Sequence, residues 1–118
     1  MDGVPFGAIA IKTPKTFVGK WRIVETEMWD QDALDMIVPA HITFDTNGLG
    51  HFEMIAVSGG IDCRFEGDRV EFSWIGDDDG HEKNGRGWAD LGKDAKLRGR
   101  LYFHHRDDSA FRAERSKR

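Results

Sequence analysis

Hydrophobic and polar side chains alternate with a period of two along most of this chain, and turn-forming residues cut the alternation at short intervals. Residues 21–28 put Trp21, Ile23, Glu25 and Glu27 on one face and Arg22, Val24, Thr26 and Met28 on the other, as a strand does. The period changes over 29–38, where Trp29, Ala33, Met36 and Ile37 recur at helical spacing. Asp30 suits the N-terminus of that helix, where its carboxylate accepts from free N–H groups, and Pro39 stops it. Further strands are predicted at 41–45, 50–57, 61–66, 69–75, 85–91, 96–104 and 109–115. Turns are predicted at Asn47-Gly48, Gly59-Gly60, Gly67-Asp68 and Gly92-Lys93-Asp94, because Gly and Asn tolerate positive φ. Residues 76–84 read as a polar loop.

This rhythm predicts an all-β fold: an eight-stranded antiparallel up-and-down barrel with one short lid helix at about 29–38. A sandwich has the same cues, but closure removes the open edges that short aromatic strands would expose, and eight strands enclose a space that side chains can fill. Closure makes the first and last strands neighbours, so that Trp21 and Arg115 meet at one end. The tight turns at 47–48, 67–68 and 92–94 then share that sealed end. The lid helix, 58–60, 76–84 and 105–108 share the other. Gly85, Gly87 and Gly99 lie inside strands, where glycine marks bends or close packing.

The 118 residues suit one domain, divided as an N-terminal arm (1–15), a barrel (16–115) and a basic tail (116–118). Eight Phe and four Trp supply a large buried area. A formal charge of −4 argues against nucleic acid as a partner, and the basic residues of 112–118 are too few to reverse it. The apolar run 7–11 is too short for a signal-peptide core or a bilayer span, so no membrane partner and a cytoplasmic location are expected. Cys63 excludes an internal disulfide and alternates with Ile61 and Phe65, as a small core residue would.

Gly19-Lys20-Trp21 at the start of the first strand, a lid-like helix before the second, and the late basic residue Arg115 together resemble the calycins: lipocalins, fatty-acid-binding proteins and avidin-like barrels. In lipocalins such a Trp plugs the closed end and an Arg packs across it, and the resemblance implies those roles for Trp21 and Arg115. The chain is shorter than a typical lipocalin and lacks the family's secretory signal and disulfides. It is most similar to the small bacterial lipocalin-like proteins.

The longer connections gather at one rim, where barrels tend to carry function. Glu25 shares the expected inward face of Trp21 and could act there as a ligand acceptor or general base. Trp29 and Trp74 offer contact area, and Arg86 and His104 could orient polar atoms. These five are the candidate ligand-binding residues, for a small, partly apolar or aromatic ligand. The inward glycines leave space for it near 85–99, whereas the many inward aromatics reduce that space. The acids 77–79 lack the alternating spacing of a calcium loop, and no His pair has zinc-ligand spacing, so neither metal nor cofactor is expected. No nucleophile triad, phosphate loop or dinucleotide signature occurs. Two rival readings remain: a homodimeric interaction module using the apolar arm with outward Ile75, Trp88 and Tyr102, and a small isomerase or hydrolase using Glu25.

Overall fold

A computed structural model describes residues 11–116. In chain order the elements are β1 (Gly19–Thr26), α1 (Gln31–Leu34), β2 (His41–Phe44), β3 (Leu49–Met54), β4 (Val57–Glu66), β5 (Arg69–Asp78), β6 (His81–Leu91), β7 (Leu97–Phe103) and β8 (Asp108–Arg115). The eight strands pair in sequence order and close into one barrel. Closure is made by β1 and β8, antiparallel, with Trp21 opposite Arg115 and Ile23 opposite Ala113. The strand rhythm of the sequence is therefore a barrel and not a sandwich. Residues 1–10, most of the expected arm, and 117–118 of the basic tail lie outside the described residues.

At the lower end Phe17 packs edge-on against Phe44 at 5.7 Å and at a tilt against Phe65 at 5.2 Å. The Trp21 indole N–H donates to the Phe17 carbonyl at 2.9 Å, so this buried aromatic leaves no polar atom unpaired. The Arg115 guanidinium lies 4.1 Å over the Trp21 ring and donates to the carbonyl oxygens of Val18 and Thr16. One side chain from the chain's end thus covers the indole and ties down the turn that precedes β1.

The inner wall is built by pairing large residues with small ones across strands. Opposite Val70, Phe72 and Trp74 on β5 stand Ala89, Gly87 and Gly85 on β6. Opposite Ala89 and Gly87 stand Gly99 and Leu101 on β7. A Cβ on Gly87 would sit 2.5 Å from the Phe72 ring, and one on Gly85 would overlap the Tyr102 carbonyl oxygen and lie 2.7 Å from the Trp74 indole nitrogen. The space expected beside Gly85 and Gly87 is thus filled by the rings of Phe72 and Trp74.

Three local expectations are corrected. The β3–β4 connection is Ile55-Ala56, with Ile55 at φ 58°, while Gly59 and Gly60 lie within β4. A Cβ on Gly59 would meet both Phe52 and Trp74 within 2.8 Å, so this glycine serves aromatic packing rather than a turn. The supposed loop 76–84 is the end of a long hairpin, with β5 and β6 paired up to Asp78 and His81. The lid helix shrinks to four residues, capped by Asp30, whose carboxylate accepts from the Ala33 amide at 2.9 Å. Beyond it Asp35 turns to Arg22, at 2.6 Å, and accepts from the Ala40 amide at 2.8 Å, which draws 36–39 off the helical path.

The lid is fastened at the upper end. Leu34 is fully buried and its carbonyl accepts from the Ile55 amide at 2.8 Å. Asp79 donates its amide to the Ala56 carbonyl at 3.2 Å, joining the β5–β6 turn to the β3–β4 turn. No helix among the described residues is long and apolar enough to cross a membrane.

Candidate functional site

The five candidate residues do not form one cluster. A register shift between Ile23 and Glu25 sets Glu25 opposite Arg112 and Thr26 opposite the inward Phe111. This bulge at Val24 reverses the alternation, because one extra residue on a strand swaps its two faces. Glu25 consequently points outward, its side chain 63% exposed and paired with Arg112 at 2.8 Å. Glu27 is likewise exposed, 3.3 Å from Arg100. The expectation of an inward, buried Glu25 is overturned, and with it the support for that residue as a shielded base.

Trp29 and Trp74 are parts of a plug. Trp74 is 3% exposed, with Phe52 at 5.1 Å and Phe103 at 5.2 Å, both edge-on. Half-buried Trp29 packs on Phe103 at 6.1 Å. This row of rings fills the upper mouth beneath the lid. The Trp74 N–H donates to the Tyr102 carbonyl at 3.1 Å, so Trp74 supports the wall from inside without offering a ring face to solvent.

Arg86 and His104 do come together, on the outer side of the upper rim. They line an open groove of about 440 Å³ with Asn84, Tyr102, Phe103 and His105. The floor is Gly85, beneath which Trp74 lies. The Arg86 guanidinium stacks 4.1 Å over the Tyr102 ring. His104 and His105 follow β7, their rings 3.9 Å apart, and His105 takes φ 59°, which turns the chain back toward β8. The sequence marks Tyr102 only as an outward residue of a possible interaction surface and does not mark Asn84 at all, because a polar rim residue reads as ordinary surface. Their only signal is the cross-strand pairing of Arg86 with Tyr102.

Among the arginines on β4 to β8, Arg86 stands apart electrostatically. Arg64, Arg69, Arg98, Arg100 and Arg112, also on β4 to β8, each have a carboxylate within 4 Å. Asp94 beside Arg98 is held down at about 2 by that guanidinium, and Arg69 lowers Asp90 in the same way. Arg86 has no carboxylate partner among the described residues and rests on the neutral Tyr102 ring, so its charge stays uncompensated. Arg115 also lacks a carboxylate but is committed to two carbonyl oxygens and Trp21.

Cys63 is fully buried, and burial pushes its thiol up to about 12, so it carries no thiolate at neutral pH. Among the described residues no three His, Cys, Asp or Glu side chains are grouped to hold a metal ion. The chain matches no protein-family model, no curated protein and no solved structure.

Proposed function

We propose that this protein is a non-enzymatic, lipocalin-like barrel that binds a small, partly apolar anion in the rim groove between β6 and β7, not in the barrel interior. The observation that carries this reading is the stacked Arg86, without a carboxylate partner among the described residues, in a groove it shares with Tyr102, Phe103, His104, His105 and Asn84. A guanidinium lying flat on an aromatic ring keeps its N–H edge available for a carboxylate or phosphate, while Tyr102 and Phe103 offer apolar surface to the rest of the ligand. The groove's volume falls within the range of small-molecule sites. Trp74, wedged under Gly85, keeps the floor rigid. Of the candidate residues, Arg86 and His104 would touch the ligand. Trp29 and Trp74 would support it indirectly, and Glu25 would take no part.

Indole-3-propionate titrated into the isotope-labelled protein tests this. Amide shifts should move at 84–86 and 102–105, and the movement should vanish in Arg86→Gln. Shifts centred on interior residues such as Phe52, or none at millimolar ligand, would defeat the reading.

A self-associating barrel has one observation in its favour. Leu49 and Ile75 are 48% and 59% exposed on neighbouring parts of the outer β3–β5 wall. Sedimentation of a monomer at high concentration would remove it.

A further inference from the structure

We infer that the ligand of the Arg86 site is a zwitterion, an α-amino acid or similar molecule carrying both a carboxylate and an ammonium group. It would lie across Arg86 into the adjoining groove on the outer wall of β4, β5 and β6. The inference rests on the reading of Arg86 given above and adds the second half of the ligand.

The wall groove, also about 440 Å³, is lined by Asp62, Arg64, Glu71, Ser73, Arg86 and Trp88, and shares Arg86 and Ser73 with the rim groove. Four charged groups therefore line it, and two of them cancel: Arg64 donates to Asp62 at 2.8 Å. The remaining two are Glu71 and Arg86. Glu71 stands opposite Arg64 on β4 and Trp88 on β6, yet it has no cation within ion-pair distance among the described residues. Nearby Arg69 is engaged instead, by Asp90 at 2.6 Å and by the Trp88 ring at 4.4 Å.

Glu71 and Arg86 share the outer face as diagonal neighbours, since Glu71 pairs with Trp88 and Ser73 with Arg86. Such residues have Cα atoms about 7–8 Å apart, within mutual reach of these two side chains. They do not meet, because stacking on Tyr102 draws the Arg86 guanidinium toward β7, away from Glu71. Between the two charges the floor is small: Ser73 and Gly87. The result is a separated pair of opposite charges over a shallow gap, with the Ser73 hydroxyl at the middle and the Trp88 ring at one side. A molecule with its own opposite charges complements both at once, its carboxylate on Arg86 and Ser73 and its ammonium on Glu71. A purely apolar molecule would leave both charges unmet, and a simple anion would meet only one.

Three ligands sharing one ring system separate the contributions: L-tryptophan, indole-3-propionate without the ammonium, and tryptamine without the carboxylate. Calorimetric and amide-shift titrations of the full chain should show L-tryptophan binding about fivefold tighter than indole-3-propionate, as expected for one more exposed ion pair. Tryptamine should bind more weakly than L-tryptophan by a similar factor or more. Glu71→Gln should bring L-tryptophan down to the affinity of indole-3-propionate for the same variant and leave the latter no weaker than before. Equal affinities of those two for the unaltered protein would overturn the zwitterion while leaving the Arg86 anion site standing. A preference for L-tryptophan that persists in Glu71→Gln would also overturn it. Binding of neither compound would overturn both readings.

Discussion

Gly87→Ala combined with Phe72→Leu tests whether the barrel is filled by rings leaning over a strand of small residues. Phe72 and Gly87 face each other across β5 and β6. An added methyl at Gly87 would stand 2.5 Å from Phe72 Cζ, 2.8 Å from Cε1 and 2.9 Å from the Arg100 carbonyl oxygen. Carbon atoms settle at about 3.5–4.0 Å, so the ring must retreat by about 1 Å in an interior that offers little room. Overpacking of this kind costs about 1–3 kcal/mol. Phe72→Leu alone should cost about 2 kcal/mol, part of the 3–5 kcal/mol typical of Phe→Ala. Because leucine withdraws the ring atoms that the methyl strikes, Gly87→Ala should cost at least about 1 kcal/mol less in the Phe72→Leu background than alone. Part of its cost should persist, since the Arg100 carbonyl is backbone. Urea unfolding followed by tryptophan fluorescence, with unchanged slopes, measures all four corners of the cycle. Additivity within about 0.5 kcal/mol would refute the packing argument, and so would a neutral Gly87→Ala.

Three further outcomes follow from the same structure. Arg115→Ala should lower stability by about 2 kcal/mol through loss of the Trp21 stack and two carbonyl contacts, and Arg115→Lys should recover less than half, as an ammonium has one nitrogen where the guanidinium donates from two and no flat face to lay on the indole; chemical denaturation of the three proteins decides it. Arg22 holds Asp35 down at about 2 from its ordinary 3.8. A carboxylate lowered by folding stabilises above its unfolded value, so at most about 2 kcal/mol should be present above pH 4 and be lost as pH falls toward 2; Asp35→Asn should flatten that part of an acid-unfolding profile, and an unchanged profile would count against the pairing. The Cys63 thiol, pushed up to about 12 by burial, should resist iodoacetamide in the folded protein at pH 8 and react in urea; equal rates in both states would show the site to be open.

The places where sequence and structure diverge have physical causes. The β3–β4 turn at Ile55-Ala56 carries no turn chemistry, and Ile55 tolerates φ 58° because its amide donates to the Leu34 carbonyl. Gly59-Gly60 has the chemistry of a turn, but both lie within β4 and Gly59 makes room for Phe52 and Trp74. Residues 76–84 are polar on both faces because the β5–β6 hairpin there runs past the filled interior, so neither face needs apolar side chains. Glu25 was misplaced by a single extra residue at Val24, which no alternation pattern can reveal. Arg86 and His104 could be named from the sequence as rim residues. Their grouping with Tyr102, and the separation of Arg86 from Glu71, depend on strand register.

The amino-acid sequence by itself determined the class of fold: alternation, strand length and turn residues act locally, and enough of them agree to give eight short antiparallel strands, with closure favoured over a sandwich. Closure, once made, brings Trp21 and Arg115 together, since it makes the first and last strands adjacent. Only the tertiary structure decided whether the barrel is hollow, because that depends on which large ring faces which glycine across a strand pair. It alone decided which charges remain unmatched, since each arginine's partner comes from another strand, and a shift of one residue exchanges wall for interior.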